Sequence, residues 1–227
     1  MPDQIVRLAR QNDCQSIAYT YTEPTVFFEF ALDTAKLAKA AGLYNIFVTN
    51  GYMNVQAIKL IKPYLDAVNV DLKFFKDGSY RKICGASLEP VLESIRSFYQ
   101  AGVWTEITTL VIPEENDSAA ELAGIADFIA QTDKNIPWHI SAFHADYKFK
   151  AYPDTPVSAL KKAYDLGKKA GLHYIYLGNI DGAGQDTVCT GCQEILIKRA
   201  GFRVVAVQIL QDKCRFCQTR LPGVYIS

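Results

Sequence analysis

Between Ser16 and about Leu177 short, mostly apolar runs alternate with longer stretches whose apolar residues recur every three or four positions. The short runs predict strands at Ser16–Tyr21, Asn45–Thr49, Ala67–Leu72, Thr105–Ile112, Trp138–Ala142 and Tyr174–Leu177. Their near-continuous hydrophobicity suits strands covered on both faces. The longer stretches predict helices at Thr25–Ala41, Asn54–Tyr64, Pro90–Ala101, Ser118–Gln131 and Pro156–Ala170. In the first of these Phe27, Phe30, Ala31, Thr34, Leu37 and Ala38 fall at helical spacing. Gly42, Gly102 and Gly171 stand just past three of the helices, where a left-handed residue stops the helix. Repeated strand–helix units imply an α/β fold, a parallel sheet with right-handed crossovers. The repetition is architectural, with no repeat in the residues themselves.

The pattern changes after Leu177. Residues 178–184 read as a turn-rich linker, and the remainder holds two CxxC pairs, Cys189-Thr-Gly-Cys192 and Cys214-Arg-Phe-Cys217, with a predicted strand at Phe202–Leu210. Two such knuckles can close around one tetrahedral metal ion, a reading preferred here to disulfides or a thioredoxin-like motif. Zinc is the default for four thiolates, and a rubredoxin-like single iron uses the same ligands. So short a segment builds little core, and a metal supplies the missing stability. The expected domains are residues 1–180 and a four-cysteine metal module at 181–227. Gln193 and Gln218 follow the two knuckles, where glycine usually stands.

Charge and composition narrow the function classes. Lys and Arg number 24 against 24 Asp and Glu, which argues against a nucleic-acid partner. No apolar run nears the ~20 residues of a membrane span. Residues 1–10 are too polar for a secretory signal. The chain is therefore expected to be soluble and cytosolic.

Polar residues cluster after the strands, at Thr22-Glu23, Asn50-Gly51, Asp71 with Lys73, and His144. In barrels and open α/β sheets the carboxyl ends of strands carry the active site. Each residue also has a plainer role. Glu23 suits a helix N-terminus, Asn50-Gly51 is a common turn, and Asp71 and Lys73 share one side of a strand as an ion pair. His144 reads equally as a loop histidine, and Cys84 as a small buried residue. Lys73 could alternatively form the Schiff base of an aldolase-type lyase.

The strings Ala18-Tyr-Thr-Tyr-Thr-Glu-Pro-Thr25, Phe47-Val-Thr-Asn-Gly-Tyr52, Asn69-Val-Asp-Leu-Lys73 and Tyr176-Leu-Gly-Asn179 resemble radical S-adenosylmethionine (SAM) proteins. More narrowly, they resemble the AmmeMemoRadiSam-system enzymes, relatives of pyruvate formate-lyase activating enzymes, almost end to end. The resemblance implies a partial (β/α) barrel binding SAM at the carboxyl ends of its strands, for 5′-deoxyadenosyl-radical chemistry. It assigns Glu23 to the ammonium of SAM, Asp71 and Lys73 to its methionine part with the lysine near the carboxylate, and His144 to a place beside it; Asn50 can bond a ligand hydroxyl or carboxylate. Val48 stands where relatives have aspartate before Thr-Asn-Gly. The family's CxxxCxxC loop, which holds a 4Fe–4S cluster, is absent from these residues, and residues 1–12 resemble the helix that follows it. Cys14 alone cannot hold a cluster that takes about three protein ligands. The chain as given is thus expected not to cleave SAM by itself. A non-catalytic scaffold with a zinc module is the alternative, the substrate or protein partner is open, and an exposed barrel edge invites self-association.

Overall fold

A computed structural model describes residues 1–180, 182, 184–201 and 203–225. The chain divides into two compact units. The first comprises Met1–Leu72 and Gly85–Glu106, and the second Lys73–Cys84 and the residues from Ile107 on.

The first unit opens with an amphipathic helix, α1 (Pro2–Gln11), followed by β1 (Ser16–Tyr19), α2 (Phe28–Ala40), β2 (Tyr44–Thr49), α3 (Val55–Ile61) and β3 (Ala67–Asp71). Its strands are parallel, with Ala18 opposite Ile46 and Val48 opposite Asn69. The order β1-β2-β3 continues into the start of β4 (Trp104–Val111), where the Trp104 N–H donates to the Asp66 carbonyl. Helix α5 (Leu88–Gln100) belongs here and buries Val91, Leu92, Ile95 and Phe98 along one face. Phe47, Val68 and Val70 of the strands are fully buried with Ala31, Ala35 and Ala38 of α2. Three small residues on one stripe of α2 bring helix and sheet close together.

Asn45 is a buried polar residue with every group used. Its side-chain oxygen accepts from Tyr19 Oη at 2.9 Å, and its amide donates to the carbonyls of Ala35 and Tyr64 at 3.1 and 2.9 Å. The node ties β1, α2 and the end of α3 to β2. Burial pushes the Tyr19 phenol well above its ordinary range.

The second unit carries a short helical stretch α4 (Asp77–Ser79) running into a π turn at Tyr80–Cys84, the rest of β4, α6 (Ala119–Thr132), β5 (Trp138–Ala142), α7 (Val157–Ala170) and β6 (Ile175–Gly178). The strands are again parallel, in the order β4-β5-β6. Trp138 is fully buried in this core, and its indole N–H donates to Thr109 Oγ1 at 3.0 Å. Beyond β6 lie β7 (Thr187–Val188), β8 (Ile195–Ala200) and β9 (Arg203–Val207) in one antiparallel sheet, and the pair β10 (Ile209–Leu210) and β11 (Lys213–Cys214). The segment after β6 doubles back along it. Leu177 N–H donates to the Gly184 carbonyl, and Tyr176 Oη meets Thr187 Oγ1 at 2.9 Å.

The expected α/β architecture with parallel strands is therefore present, with most element ends moved by one to several residues and β5 at its expected bounds. The first helix starts at Phe28 rather than Thr25, because Glu23 to Val26 form a turn closed by Val26 N–H to the Glu23 carbonyl. Helix α3 ends at Ile61, three residues short of the expected end. Gly42, Gly102 and Gly171 adopt φ of 79°, 77° and 91°, as a helix stop requires. Phe202, within the strand expected at Phe202–Leu210, lies outside the described residues. The remainder of that stretch is two strands, β9 and β10, broken at Gln208.

Gly51 combines two constraints. Its φ is +74°, and a Cβ there would lie 2.6 Å from Val70 Cγ1 and 3.1 Å from Val91 Cγ1. Left-handed strain and overpacking add, so Gly51→Ala is expected to destabilise the protein by about 2–4 kcal/mol. Urea unfolding checks this; a loss under about 0.5 kcal/mol would mean that the backbone at Gly51 relaxes freely.

Candidate functional site

The carboxyl end of β1 leads through a turn to Glu23, and the carboxyl end of β2 meets it. Glu23 Oε1 accepts from Thr25 N–H at 3.2 Å, Thr25 Oγ1 at 2.9 Å and Thr49 Oγ1 at 2.6 Å. Oε2 accepts from the Asn50 N–H at 2.8 Å. A carboxylate offers about four lone-pair directions. Oε1 is crowded, whereas Oε2 takes a single bond among the described residues, leaving it room for one more donor. Thr49 in turn accepts from the Gly51 N–H at 3.1 Å, and Asn50 Oδ1 accepts from the Tyr52 N–H at 2.8 Å. The Asn50 side-chain oxygen is thus spent on its own turn, and its amide is exposed with no partner among the described residues. Thr49 is buried, Glu23 half-buried and Asn50 exposed, so the cluster grades from core to surface.

Asp71 is the last residue of β3 and is half-buried. In the second unit the backbone at Lys73 is fixed on both sides. Its N–H donates to Tyr80 Oη at 3.0 Å, and its carbonyl accepts from Asn116 Nδ2 at 2.7 Å. Asn116, itself buried, also donates to the Leu110 carbonyl and accepts from the Ile112 N–H, pinning the end of β4. His144 follows β5 in an exposed loop, its Nδ1 3.5 Å from Asp154 Oδ2. The Ala145 N–H, and secondarily His144, hold the Asp154 carboxyl below its ordinary range.

A further cluster joins the loops after β4 and β5 to the π turn. Glu115 accepts from Tyr152 Oη in a very short contact and from Lys82 Nζ at 3.1 Å. The Tyr152 hydroxyl, with Lys82 behind it, keeps Glu115 below the usual carboxylate range against its burial. Of the residues expected at the site, Glu23 and Asn50 are in direct contact, and Lys73 and His144 each have their own support in the other unit. Thr25, Thr49, Asn116, Asp154 and the Glu115 cluster were not singled out in the sequence. Thr49 stood inside the Thr-Asn-Gly string and Thr25 two residues after Glu23, so their partnerships with Glu23 had a signal; Asn116, Asp154 and the Glu115 cluster fall in no motif and had none.

The four cysteines Cys189, Cys192, Cys214 and Cys217 converge, their sulfurs all within 4.8 Å of one another. Cys189 Sγ lies 3.6 Å from Cys217 Sγ, and Cys192 Sγ 3.7 Å from Cys214 Sγ. A disulfide needs about 2.05 Å. Thiolates ~2.3 Å from a central ion at tetrahedral corners stand about 3.8 Å apart, so the quartet fits a metal. The knuckles repeat each other. Gly191 N–H points to Cys189 Sγ at 3.4 Å and Phe216 N–H to Cys214 Sγ at 3.3 Å. Gln193 N–H donates to the Cys189 carbonyl and Gln218 N–H to the Cys214 carbonyl, both at 3.0 Å. Gln193 and Gln218 hold φ of 65° and 61°, the left-handed conformation that glycine would take. The turn is therefore retained without glycine. Hydrogen bonds from Thr219 pull the exposed Cys217 thiol down to about 6.

The other two thiols do not join them. Cys14 is exposed before the amino end of β1, at the opposite end of that strand from Glu23, and Cys84 is exposed in the π turn of the second unit. Residues for a 4Fe–4S cluster are thus not found among these side chains.

Residues 1–128 match the Radical SAM superfamily. The chain is 38% identical to an uncharacterized protein of Methanocaldococcus jannaschii over 227 residues, 98% of this chain and 67% of that protein. It is 27% identical over 106 residues to an isethionate sulfite-lyase activating enzyme of Nitratidesulfovibrio vulgaris, covering 46% of this chain and 34% of that enzyme. Among solved structures, a domain of a pyruvate-formate lyase-activating enzyme from Bacteroides vulgatus superposes with a TM-score of 0.64 at 16% identity, over 72% of this chain and 99% of the domain. At that identity the likeness concerns the fold alone. With more than half its length matched to the family, this chain belongs to the radical SAM superfamily.

Proposed function

We propose that this chain is the SAM-binding portion of a radical SAM enzyme of the activating-enzyme type, within the AmmeMemoRadiSam group. A structural zinc site at Cys189, Cys192, Cys214 and Cys217 stabilises its module at 181–227. The observation that carries the reading is the Glu23 cluster. Thr25, Thr49 and the Asn50 N–H fix the orientation of the carboxylate, and Oε2 retains capacity for an ammonium. The exposed Asn50 amide can donate to a carboxylate nearby. When bound, SAM supplies the sulfonium that this superfamily cleaves reductively. The roles of Asp71, Lys73 and His144 toward SAM are part of the same proposal, and each is open to test by its own variant. Because the cysteines present do not fit a 4Fe–4S cluster, no cleavage step is assigned to these residues.

Calorimetry with SAM on the metal-loaded chain tests the proposal. Saturable binding is expected, at least tenfold weaker in Lys73→Ala. Under anaerobic dithionite, after iron and sulfide reconstitution, no 5′-deoxyadenosine is expected. Absence of binding by the folded chain would leave the scaffold reading in its place, and 5′-deoxyadenosine formation would refute the assigned inactivity.

A further inference from the structure

The module after β6 has an open, apolar strand edge that the SAM chemistry does not use. In the sheet β7-β8-β9, β9 is paired on one side by β8, and no described strand pairs its other side. Val204, Val205 and Val207 are 58%, 59% and 54% exposed. The pairing sets Ala200 opposite Arg203, Arg199 opposite Val204, Lys198 opposite Ala206 and Ile197 opposite Val207. Val205 is skipped, a bulge that leaves it without a residue facing it on β8. Side chains alternate along strands, so Lys198 and Arg203 share one face while Val204 and Val207 share the other with Ile197 and Arg199, whose guanidinium donates to the Gln185 carbonyl and Thr187 Oγ1. Arg215 adds a cation past the far end of β9, its N–H donating to the Gln208 carbonyl.

These cations lack carboxylate partners among the described residues, the other local charge being the four-thiolate site, which with a divalent ion carries a net negative charge. Residues 185–225 hold six basic and three acidic side chains. Asp212 pairs with Arg220, and Asp186 accepts from the Arg199 N–H. Lys198 and Arg203 have no acidic partner among the described residues. Isolated proteins usually blunt such an edge, because its free N–H and C=O groups template another strand. Here the edge offers main-chain pairing, an aliphatic face and a cationic face together.

We propose that β9 is a docking edge for an extended segment of a partner protein whose residues alternate acidic and apolar. The segment adds as a strand about five residues long, ~17 Å. Its acidic side chains share a face with Arg203 and, one strand further in behind Ala206, with Lys198, and its apolar ones meet Val204 and Val207. A second copy of this chain fits less well, since it would set the same cations against each other. A nucleic acid would use the cations and leave the valines uncovered.

The probe is a fluorescein-labelled, end-capped octapeptide of alternating glutamate and valine, titrated by anisotropy against the metal-loaded chain. Saturable binding is expected, with hydrogen exchange slowed at residues 203–207. A lysine–valine octapeptide should bind at least tenfold more weakly. Val205→Pro, which removes a strand N–H and stiffens the edge, should weaken binding at least tenfold. So should the surface double reversal Lys198→Glu with Arg203→Glu, which leaves the metal content unchanged. The proposal is overturned by absent saturation, by undiminished affinity in the double reversal, by displacement of the peptide by a single-stranded oligonucleotide, or by sedimentation as a dimer with β9 protected.

Discussion

Cys214→Ser is expected to cost the module its metal and its structure together. Cys189 and Cys214 are fully buried, and with Leu196 and Leu221 they form the buried hydrophobic cluster of this segment among the described residues, flanked by Cys192, Ile209 and Tyr225. Four residues, two of them ligands, cannot offset the ordering of some forty residues by burial alone. Structural zinc contributes on the order of 10–16 kcal/mol in small metal-dependent domains, and losing one of four thiolates removes much of it. Metal per chain should fall from near one to below about 0.1, and hydrogen exchange in β8 and β9 should lose its protection, while helices α2 to α7 keep their far-ultraviolet signal. Retained metal, or β8 protected without metal, would show that the module stands on its own packing.

Glu23→Ala is expected to carry the second-largest effect. It removes one acceptor group from four donors, and buried Thr49 Oγ1 is left facing an apolar gap. Hydrogen bonds to a charged group contribute ~1.5–3 kcal/mol each, discounted here because Glu23 is half-buried and water can replace some of them. A loss of about 2–3 kcal/mol in urea unfolding is expected, with SAM affinity reduced at least tenfold. Glu23→Gln separates the two effects. It is neutral and turns a donor toward either the Thr49 side or the Asn50 side, so it should weaken SAM binding while recovering part of the stability. Full stability loss with unchanged affinity would leave Glu23 as a strand fastener only.

The strand and helix pattern was legible because burial imposes period on the sequence, and Trp138–Ala142 matches the structure end for end. The cysteine quartet was legible because its spacing encodes two turns that nothing but a shared centre brings together. Strand β8 was not read: Ile195–Ala200 passes from three aliphatic residues to Lys198 and Arg199 without alternation, its inner face being covered by only a small core. The partner of His144 was equally hidden, since Asp154 reaches it across a loop in which ten residues carry no periodic signal. Glu23 could be located from its motif, but its dependence on Thr49 is a product of strand adjacency, which appears only once β1 and β2 are paired in register.

The doubling back of the chain along β6 fixes where the metal lies in the second unit. Thr187, two residues before the first ligand Cys189, meets Tyr176 near the amino end of β6, whereas His144 leaves the carboxyl end of the parallel neighbour β5. A strand of five residues separates those two ends by about 17 Å. The quartet is therefore an independent gauge: loading it with cadmium or cobalt reports on how firmly the tail of the protein is anchored, in a spectrum or a melting curve, with the bound ion held away from the loop that carries His144.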